Sequence, residues 1–201
     1  MDASAWNERY AASDLVWSAT PNTFVARHLA DLTPARAVDL GAGEGRNALW
    51  LAQSGWQVTA VDFAEVGLEK GRAIAERIKV EVDWVCADVL AWQPPEAVQL
   101  TVVAYLQFPM PEREQLVANA AAMTAVGGTL CWISHDSHNL KHGVGGPQDP
   151  AVPTDVGALR ELLERHGRWA VTEAGRVERQ GDVDGSRATA YDTLLVARRE
   201  G

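Results

Sequence analysis

From residue 36 onward, short apolar runs alternate with longer stretches whose apolar residues recur every three or four positions. The runs 37–40, 56–63, 82–90, 98–105 and 129–134 have the length of buried strands, and the stretches 46–54, 64–78, 111–124 and 155–166 have the period of amphipathic helices. The run 98–105 is nearly all apolar, as a parallel strand covered on both faces requires. The helix at 111–124 opens at Pro111, carries Glu112 and Glu114 where the helix dipole favours acids, and is expected to end near Gly127-Gly128. Two β-rich segments, 168–179 and 187–198, are joined by Asp182-Val183-Asp184-Gly185 at hairpin spacing, so the last strand should run antiparallel to the rest. The alternation predicts an α/β fold: a three-layer α-β-α sandwich around a doubly wound, mostly parallel seven-stranded sheet with an antiparallel last strand.

Ahead of this core, 4–12 and 21–32 read as two helices, the second entered through Thr20-Pro21 as a cap followed by proline at the first helical position. A single domain over 1–201 is expected, with 1–33 as an amino-terminal helical flap and 34–201 as the core. Residues 135–153, rich in Gly, Pro and polar side chains, are longer than a connection requires and read as a lid.

Composition narrows the partners. The 201 residues are 47% hydrophobic and 22% charged, which suits a globular chain with a sizeable core. A net charge of -9 speaks against a nucleic-acid partner, because binding a phosphate backbone draws on clustered Lys and Arg. Cys86 and Cys131 fall inside expected buried strands and read as reduced core residues of a cytoplasmic protein. The start Met1-Asp2-Ala3-Ser4 lacks a basic region with an apolar stretch behind it, and no run approaches membrane-spanning length, so no membrane association is expected. No C-x-x-C or H-E-x-x-H pattern points to a metal.

The candidate chemistry gathers where the first strand meets its helix. Asp39-Leu40-Gly41-Ala42-Gly43-Glu44-Gly45-Arg46 is a turn with glycines at alternate positions, which allow positive φ and close approach of a ligand to the main chain. A dinucleotide turn needs a third small residue to pack its helix on the strand, and Arg46 stands at that position. Asp39 beside the turn would repel a diphosphate and suits an ammonium group. Asp62 ends the second strand about twenty residues on, where a carboxylate can accept ribose hydroxyls, or simply cap the helix starting near Ala64. Ala87-Asp88-Val89 ends the third strand and is placed to meet an adenine edge, with a carboxylate for the exocyclic amine.

Taken together, these residues resemble the class I S-adenosylmethionine-dependent methyltransferases over nearly the whole chain. Trp6-Asn7-Glu8-Arg9-Tyr10, Trp17 and Pro21-Asn22, with Gly45-Arg46-Asn47, resemble the tellurite-resistance and thiopurine S-methyltransferase branch, whose members methylate small, soft, heteroatom-rich molecules. The resemblance implies a Rossmann-like methyltransferase fold, S-adenosylmethionine as cofactor and a small-molecule acceptor. Candidate cofactor contacts are Trp6, Asp39, Gly41, Gly43, Gly45, Arg46, Asp62, Phe63, Asp88, Val89, Ala104 and Tyr105, the last two in the expected floor where sulfonium and acceptor meet. Trp6, Tyr10 and Trp17 form a flap over the site or staple the helices to the core.

Arg9, Tyr10 and Trp17 are the candidates for the acceptor side, and Arg46 pairs either with the methionine carboxylate or with a surface acid. A soft acceptor already ionised near neutral pH needs no base. Where a base is used, His135 and Asp136 are the candidates, since they leave the fifth strand at the crevice and an adjacent carboxylate can orient an imidazole; plain loop histidines are the alternative. His138 and His142 share that loop and make a metal or metalloid cluster conceivable. The leading function is methyl transfer to a sulfur, selenium or tellurium acceptor, with an oxygen or nitrogen acceptor behind it. A non-catalytic S-adenosylmethionine-binding protein is the competing class, and Arg46 disfavours a nicotinamide oxidoreductase.

Overall fold

A computed structural model describes residues 2–16, 20–183 and 186–201, apart from the side chains of 181–183 and 186. Seven strands, β1 (Arg36–Leu40), β2 (Gln57–Asp62), β3 (Asp83–Cys86), β4 (Val98–Ala104), β5 (Thr124–His135), β6 (Trp169–Val183) and β7 (Ser186–Arg199), form one sheet in the order β3-β2-β1-β4-β5-β7-β6. The ladders from β3 through β5 are parallel, and β7 is antiparallel to both of its neighbours. Strand order reverses between β1 and β4, which opens a crevice outside their carboxyl ends.

The helices are α1 (Ala3–Ala11), α2 (Thr23–Leu29), α3 (Arg46–Gln53), α4 (Glu65–Ile78), α5 (Glu112–Met123), α6 (Asn139–His142) and α7 (Val156–Glu164). Strand alternation splits the core in two. Leu130 and Trp132 of β5, with Leu195 and Ala197 of β7, pack with Leu116 and Val117 of α5 and Leu159 and Leu163 of α7. Cys131 and Ile133, with Leu194 and Val196, pack with Val25 and Leu29 of α2 and Ala48 and Leu51 of α3 on the other face. The expected α-β-α layering is therefore the observed one.

Several boundaries differ from expectation. Helix α2 begins at Thr23, after Pro21, because Asn22 is the cap: its Oδ1 accepts from the N–H groups of Phe24 (2.9 Å) and Val25 (3.2 Å). Helix α5 stops at Met123, and Gly127-Gly128 lie inside β5 at a register shift against β4. A Cβ on Gly128 would sit 2.9 Å from the Ala125 carbonyl oxygen and 3.0 Å from that of Val98, so these glycines serve a bulge and not a helix end. Strand β3 is four residues long, which leaves Cys86 exposed where a buried thiol was expected; Cys131 is buried. The stretch 135–153 contains α6 and is tied back by a bridge between Asp136 and Thr154. The turn expected at 182–185 falls partly on residues outside the described set, as does Trp17.

Candidate active site

Gly41, Gly43 and Gly45 all adopt positive φ (71°, 55° and 76°). The turn they form is tied to the second strand: Gly41 N–H donates to the Val61 carbonyl (2.8 Å), and Gly43 N–H to Asp62 Oδ2 (2.8 Å). Asp62 Oδ1 accepts from Ala64 N–H at 2.8 Å. Asp62 thus braces the turn and the residue ahead of α4, but it is not the helix cap, which is Ala64 without a side-chain bond, and the ligand reading stands alone. Each carboxylate oxygen keeps lone-pair capacity after one backbone bond, enough for two hydroxyls. Burial raises the Asp62 pKa, against the backbone N–H groups that lower it.

Asp39 is buried, with Oδ2 accepting from Ala48 N–H (3.1 Å) in the first turn of α3. Burial pushes its pKa up to about 7, opposed by that N–H and by Arg46, with Asp62 adding to the rise. A cation placed here would recover the charged form, which fits an ammonium group. Asp88, exposed on the turn after β3, accepts from Leu90 N–H (2.9 Å). The Val89 side chain lies in the core, so only its backbone remains for a ligand. Phe63 is half-buried beside Asp62.

The amino-terminal segment is latched to the glycine turn. Both Glu44 oxygens accept from Val16 N–H (3.1 and 3.0 Å), and Asn47 Oδ1 from Asn22 N–H (2.9 Å). Lys70 Nζ donates to the carbonyls of Tyr10 and Ser13, and Asn7 Oδ1 accepts from Val66 N–H. Tyr10 is buried against α4, where a Cβ on Gly67 would meet both Tyr10 and the Gly43 backbone at 3.1 Å. Trp6 stacks on Tyr10 with centroids 5.6 Å apart, and the exposed Arg9 lies over Trp6. Thus Tyr10 reaches the turn, while Arg9 sits at the surface of the amino-terminal segment.

At the carboxyl end of β4, Ala104 leads into Tyr105, a non-glycine residue at φ 58°. Its hydroxyl donates to Asp192 Oδ2 (2.7 Å), which also accepts from Arg179 Nε (3.0 Å). The Arg179 and Arg46 guanidiniums lie 5.7 and 5.8 Å from the Tyr105 ring centre. His135, at the end of β5, places its ring 5.0 Å from that of Tyr105 and its Nδ1 3.2 Å from Asp192 Oδ1. The two atoms approach closely without meeting the geometry of an aligned hydrogen bond. Gln107 Oε1 accepts from His135 N–H, and Gln107 Nε2 is buried with no partner among the described residues.

Asp136 does not accompany His135. It is buried on the other face of the sheet, paired with Arg176 Nε (2.9 Å) and the Thr193 hydroxyl (2.7 Å). Neighbours in a strand point to opposite faces, so sequence adjacency separates the two side chains. The carboxylate beside His135 comes from β7 instead, and Asp192 and Arg179 both escaped the sequence reading. Asp192 had one visible signal, a charge embedded in the apolar run 190–197. His138 and His142 stack at 4.2 Å on the loop, but no group of three metal-ligating side chains occurs among the described residues.

A groove of about 310 Å³ lined by Asn22, Thr23, Phe24, Glu178, Arg179 and Gln180 opens beside this floor. A larger concavity, about 1160 Å³, lies at the opposite strand ends around Arg36, Gln57 and Asp83, away from the glycine turn.

The donor set fits S-adenosylmethionine: a hydroxyl-accepting carboxylate, a carboxylate that gains charge beside a cation, a guanidinium and an unused amide donor. Comparisons agree. A family profile described as "Methyltransferase domain" matches residues 37–128. Trans-aconitate 2-methyltransferase of Klebsiella pneumoniae is 28% identical over 163 residues, covering 73% of this chain and 61% of that protein. The probable S-adenosyl-L-methionine-dependent methyltransferase TehB of Haemophilus influenzae is 25% identical over 179 residues, covering 84% of this chain and 59% of TehB. The chain thus spans about three fifths of the length of these curated relatives. The TehB crystal structure superposes with a TM-score of 0.73 at 20% identity, covering 89% of this chain and 62% of that one. A structure described under "Conversion of a Disulfide Bond into a Thioacetal Group during Echinomycin Biosynthesis" reaches 0.76 at 18% identity, covering 99% and 93%. The chain thus has a methyltransferase-like fold, matches a methyltransferase domain over residues 37–128, and is similar to S-adenosylmethionine-dependent methyltransferases, TehB among them.

Proposed function

We propose that the chain transfers a methyl group from S-adenosylmethionine to a small acceptor with a soft nucleophilic atom, sulfur, selenium or tellurium, seated on the floor formed by Tyr105 and His135. In this reading Asp62 accepts the ribose hydroxyls, Asp39 faces the ammonium, Arg46 the carboxylate, and Asp88 with the Val89 backbone the adenine. Residues 1–33 act as a flap, with Trp6 and Tyr10 on the cofactor side, and 135–153 as a lid.

The observation that carries the reading is that Arg46, first residue of the helix leaving the glycine turn, lies over the ring of Tyr105, joining the nucleotide half of the site to the polar floor. S-adenosylmethionine, when bound, supplies a methyl group activated by a sulfonium. The chain supplies alignment and a dry site, and positioning of this kind contributes roughly 7 to 11 kcal/mol to such a displacement. Guanidiniums of Arg46 and Arg179 beside the floor favour an acceptor that carries an anionic group near its nucleophilic atom.

Heat-shift measurements with S-adenosylhomocysteine test the cofactor half. Stabilisation is expected in the parent chain and lost in Asp62→Ala; no response in the parent chain defeats the proposal. Release of S-adenosylhomocysteine during incubation with thiols, selenite and tellurite tests the acceptor. A carboxylate acceptor is the second reading, supported by the same pair of arginines and by the similarity to trans-aconitate 2-methyltransferase. Turnover with small di- and tricarboxylates but not with thiols would select it.

A further inference from the structure

We propose that Asp192 is the positioning residue of the acceptor site, holding His135 with Nδ1 turned to its carboxylate so that Nε2 takes the acceptor's proton. This rests on the reading above that acceptor and methyl donor meet at this floor. Asp192 lies outside residues 37–128, the part of the chain that matches the methyltransferase family.

Three observations converge. His135 and Asp192 are direct cross-strand partners in the β5–β7 ladder, so sheet register and not a loop sets their approach. Asp192 is fully buried, in a strand whose residues 194–197 all sit in the core. A carboxylate there is strongly unfavourable unless paired. Its two oxygens divide the work: Oδ1 faces His135 Nδ1 at 3.2 Å, and Oδ2 takes the Tyr105 hydroxyl and Arg179 Nε. Burial opposes ionisation, yet His135, Tyr105 and Arg179 together hold the carboxyl below its ordinary value, so it stays charged.

The loop confines the ring as well. A Cβ on Gly146 would lie 2.8 Å from His135 Cδ2 and Cγ, so the backbone of the 135–153 loop packs directly on the imidazole. The ionisable groups gathered around the pair are Tyr105 after β4 and Arg179 on β6, with Arg46 of α3 across the Tyr105 ring. A small rotation of the ring aligns Nδ1–H with Oδ1, the kind of tightening that ligand-free sites show on binding.

The step balances without a further reactant. As the acceptor atom forms its bond to the methyl carbon, its proton passes to His135 Nε2, and the electron pair of the breaking carbon–sulfur bond stays on sulfur. The ring is then left positive beside an ionised carboxylate, the same logic by which a buried acid orients a catalytic histidine elsewhere.

Long-range nitrogen NMR of the His135 ring, with and without S-adenosylhomocysteine, is the deciding measurement. The neutral ring is expected as the Nδ1–H tautomer, and a Nε2–H tautomer overturns the proposal whether or not any variant folds. In turnover, 2-mercaptoethanol serves as a protonated thiol probe and 4-nitrothiophenol as an ionised one. Asp192→Asn should lower kcat for the protonated thiol roughly 10²- to 10⁴-fold, leave KM for S-adenosylmethionine in place and spare the ionised thiol. Asp192→Glu should restore part of the loss, and Asp192→Asn combined with His135→Gln should be no slower than His135→Gln alone. Equal losses on both thiols, or losses that multiply, overturn it. If neither thiol is accepted, the tautomer decides. Failure to bind S-adenosylhomocysteine defeats the methyltransferase reading, whereas a Nε2–H ring in protein that does bind it defeats this inference alone.

Discussion

His135 and Asp192 stand opposite each other in the β5–β7 ladder with Nδ1 and Oδ1 3.2 Å apart, while Asp136, next to His135 in sequence, bonds Arg176 and Thr193 through the other face of the sheet. Two buried carboxylates thus anchor two separate polar clusters, and only the Asp192 cluster faces the crevice with Tyr105.

Asp192 also ties strands together. Replacing it with Ala leaves Arg179 and the Tyr105 hydroxyl without their buried acceptor, and breaking such a pairing costs about 3 to 5 kcal/mol. Urea denaturation should show this for Asp192→Ala and a smaller loss for Asp192→Asn. The sign with pH follows from a folded pKa held below 3.8: the contribution is present above the ordinary carboxylate value and is lost as pH falls through the depressed one. The parent chain should therefore show an acid limb that Asp192→Asn lacks.

Asp39 behaves in the opposite sense. Its folded pKa of about 7 stands above the ordinary 3.8, so the folded chain binds the extra proton between those values. Stability then falls as pH rises from 3.8 toward 7 and levels off beyond, a loss on the order of 4 kcal/mol from this one group. Asp39→Asn should flatten that slope and stabilise the ligand-free chain at pH 8. If the cofactor's ammonium faces Asp39, binding of S-adenosylhomocysteine near pH 6.5 should release a proton. Calorimetry in buffers of different ionisation enthalpy reads that release, which Asp39→Asn should abolish.

Glu44 fastens the flap. It is buried, and both its oxygens accept from Val16 N–H, with Lys70 Nζ 3.5 Å away. Glu44→Ala should release the segment around Val16, leaving that N–H without its acceptor at about 1 to 3 kcal/mol. Hydrogen exchange should show faster exchange at Val16 with the sheet unchanged.

Gly45 tests the packing of the turn. At φ 76°, a Cβ would lie 2.3 Å from Trp84 Cη2, and a Cβ on Gly71 would meet the same ring at 2.4 Å. Gly45→Ala combines left-handed backbone strain of roughly 1 to 2 kcal/mol with overpacking of about 1 to 3 kcal/mol. A lower Tm is expected, and Trp84→Leu in the same chain should recover the overpacking share alone.

Much of this was legible from residue order because it rests on local chemistry. Alternating apolar runs and amphipathic stretches dictate strands and helices, short links dictate which neighbours pair, and glycines at 41, 43 and 45 dictate a turn only positive φ can close. Asp62 beside that turn was legible for the same reason, since strand, turn and helix are consecutive. Boundaries were less so: Asn22 displaced Pro21 as the helix entry, and Gly127-Gly128 became a bulge because the Val98 backbone approaches them.

The proposed acceptor side was decided by tertiary structure. Its charges come from positions far apart in sequence, Tyr105, His135, Arg179 and Asp192, brought together where β4, β5, β6 and β7 meet. Which side chain faces which depends on the β5–β7 register, and a slip of one residue would have set Asp136 or Thr193 in the crevice. Local pattern carries the glycine turn and its carboxylates because consecutive residues build them; the polar cluster proposed for the acceptor is built by pairing between distant strands, which only the folded sheet specifies.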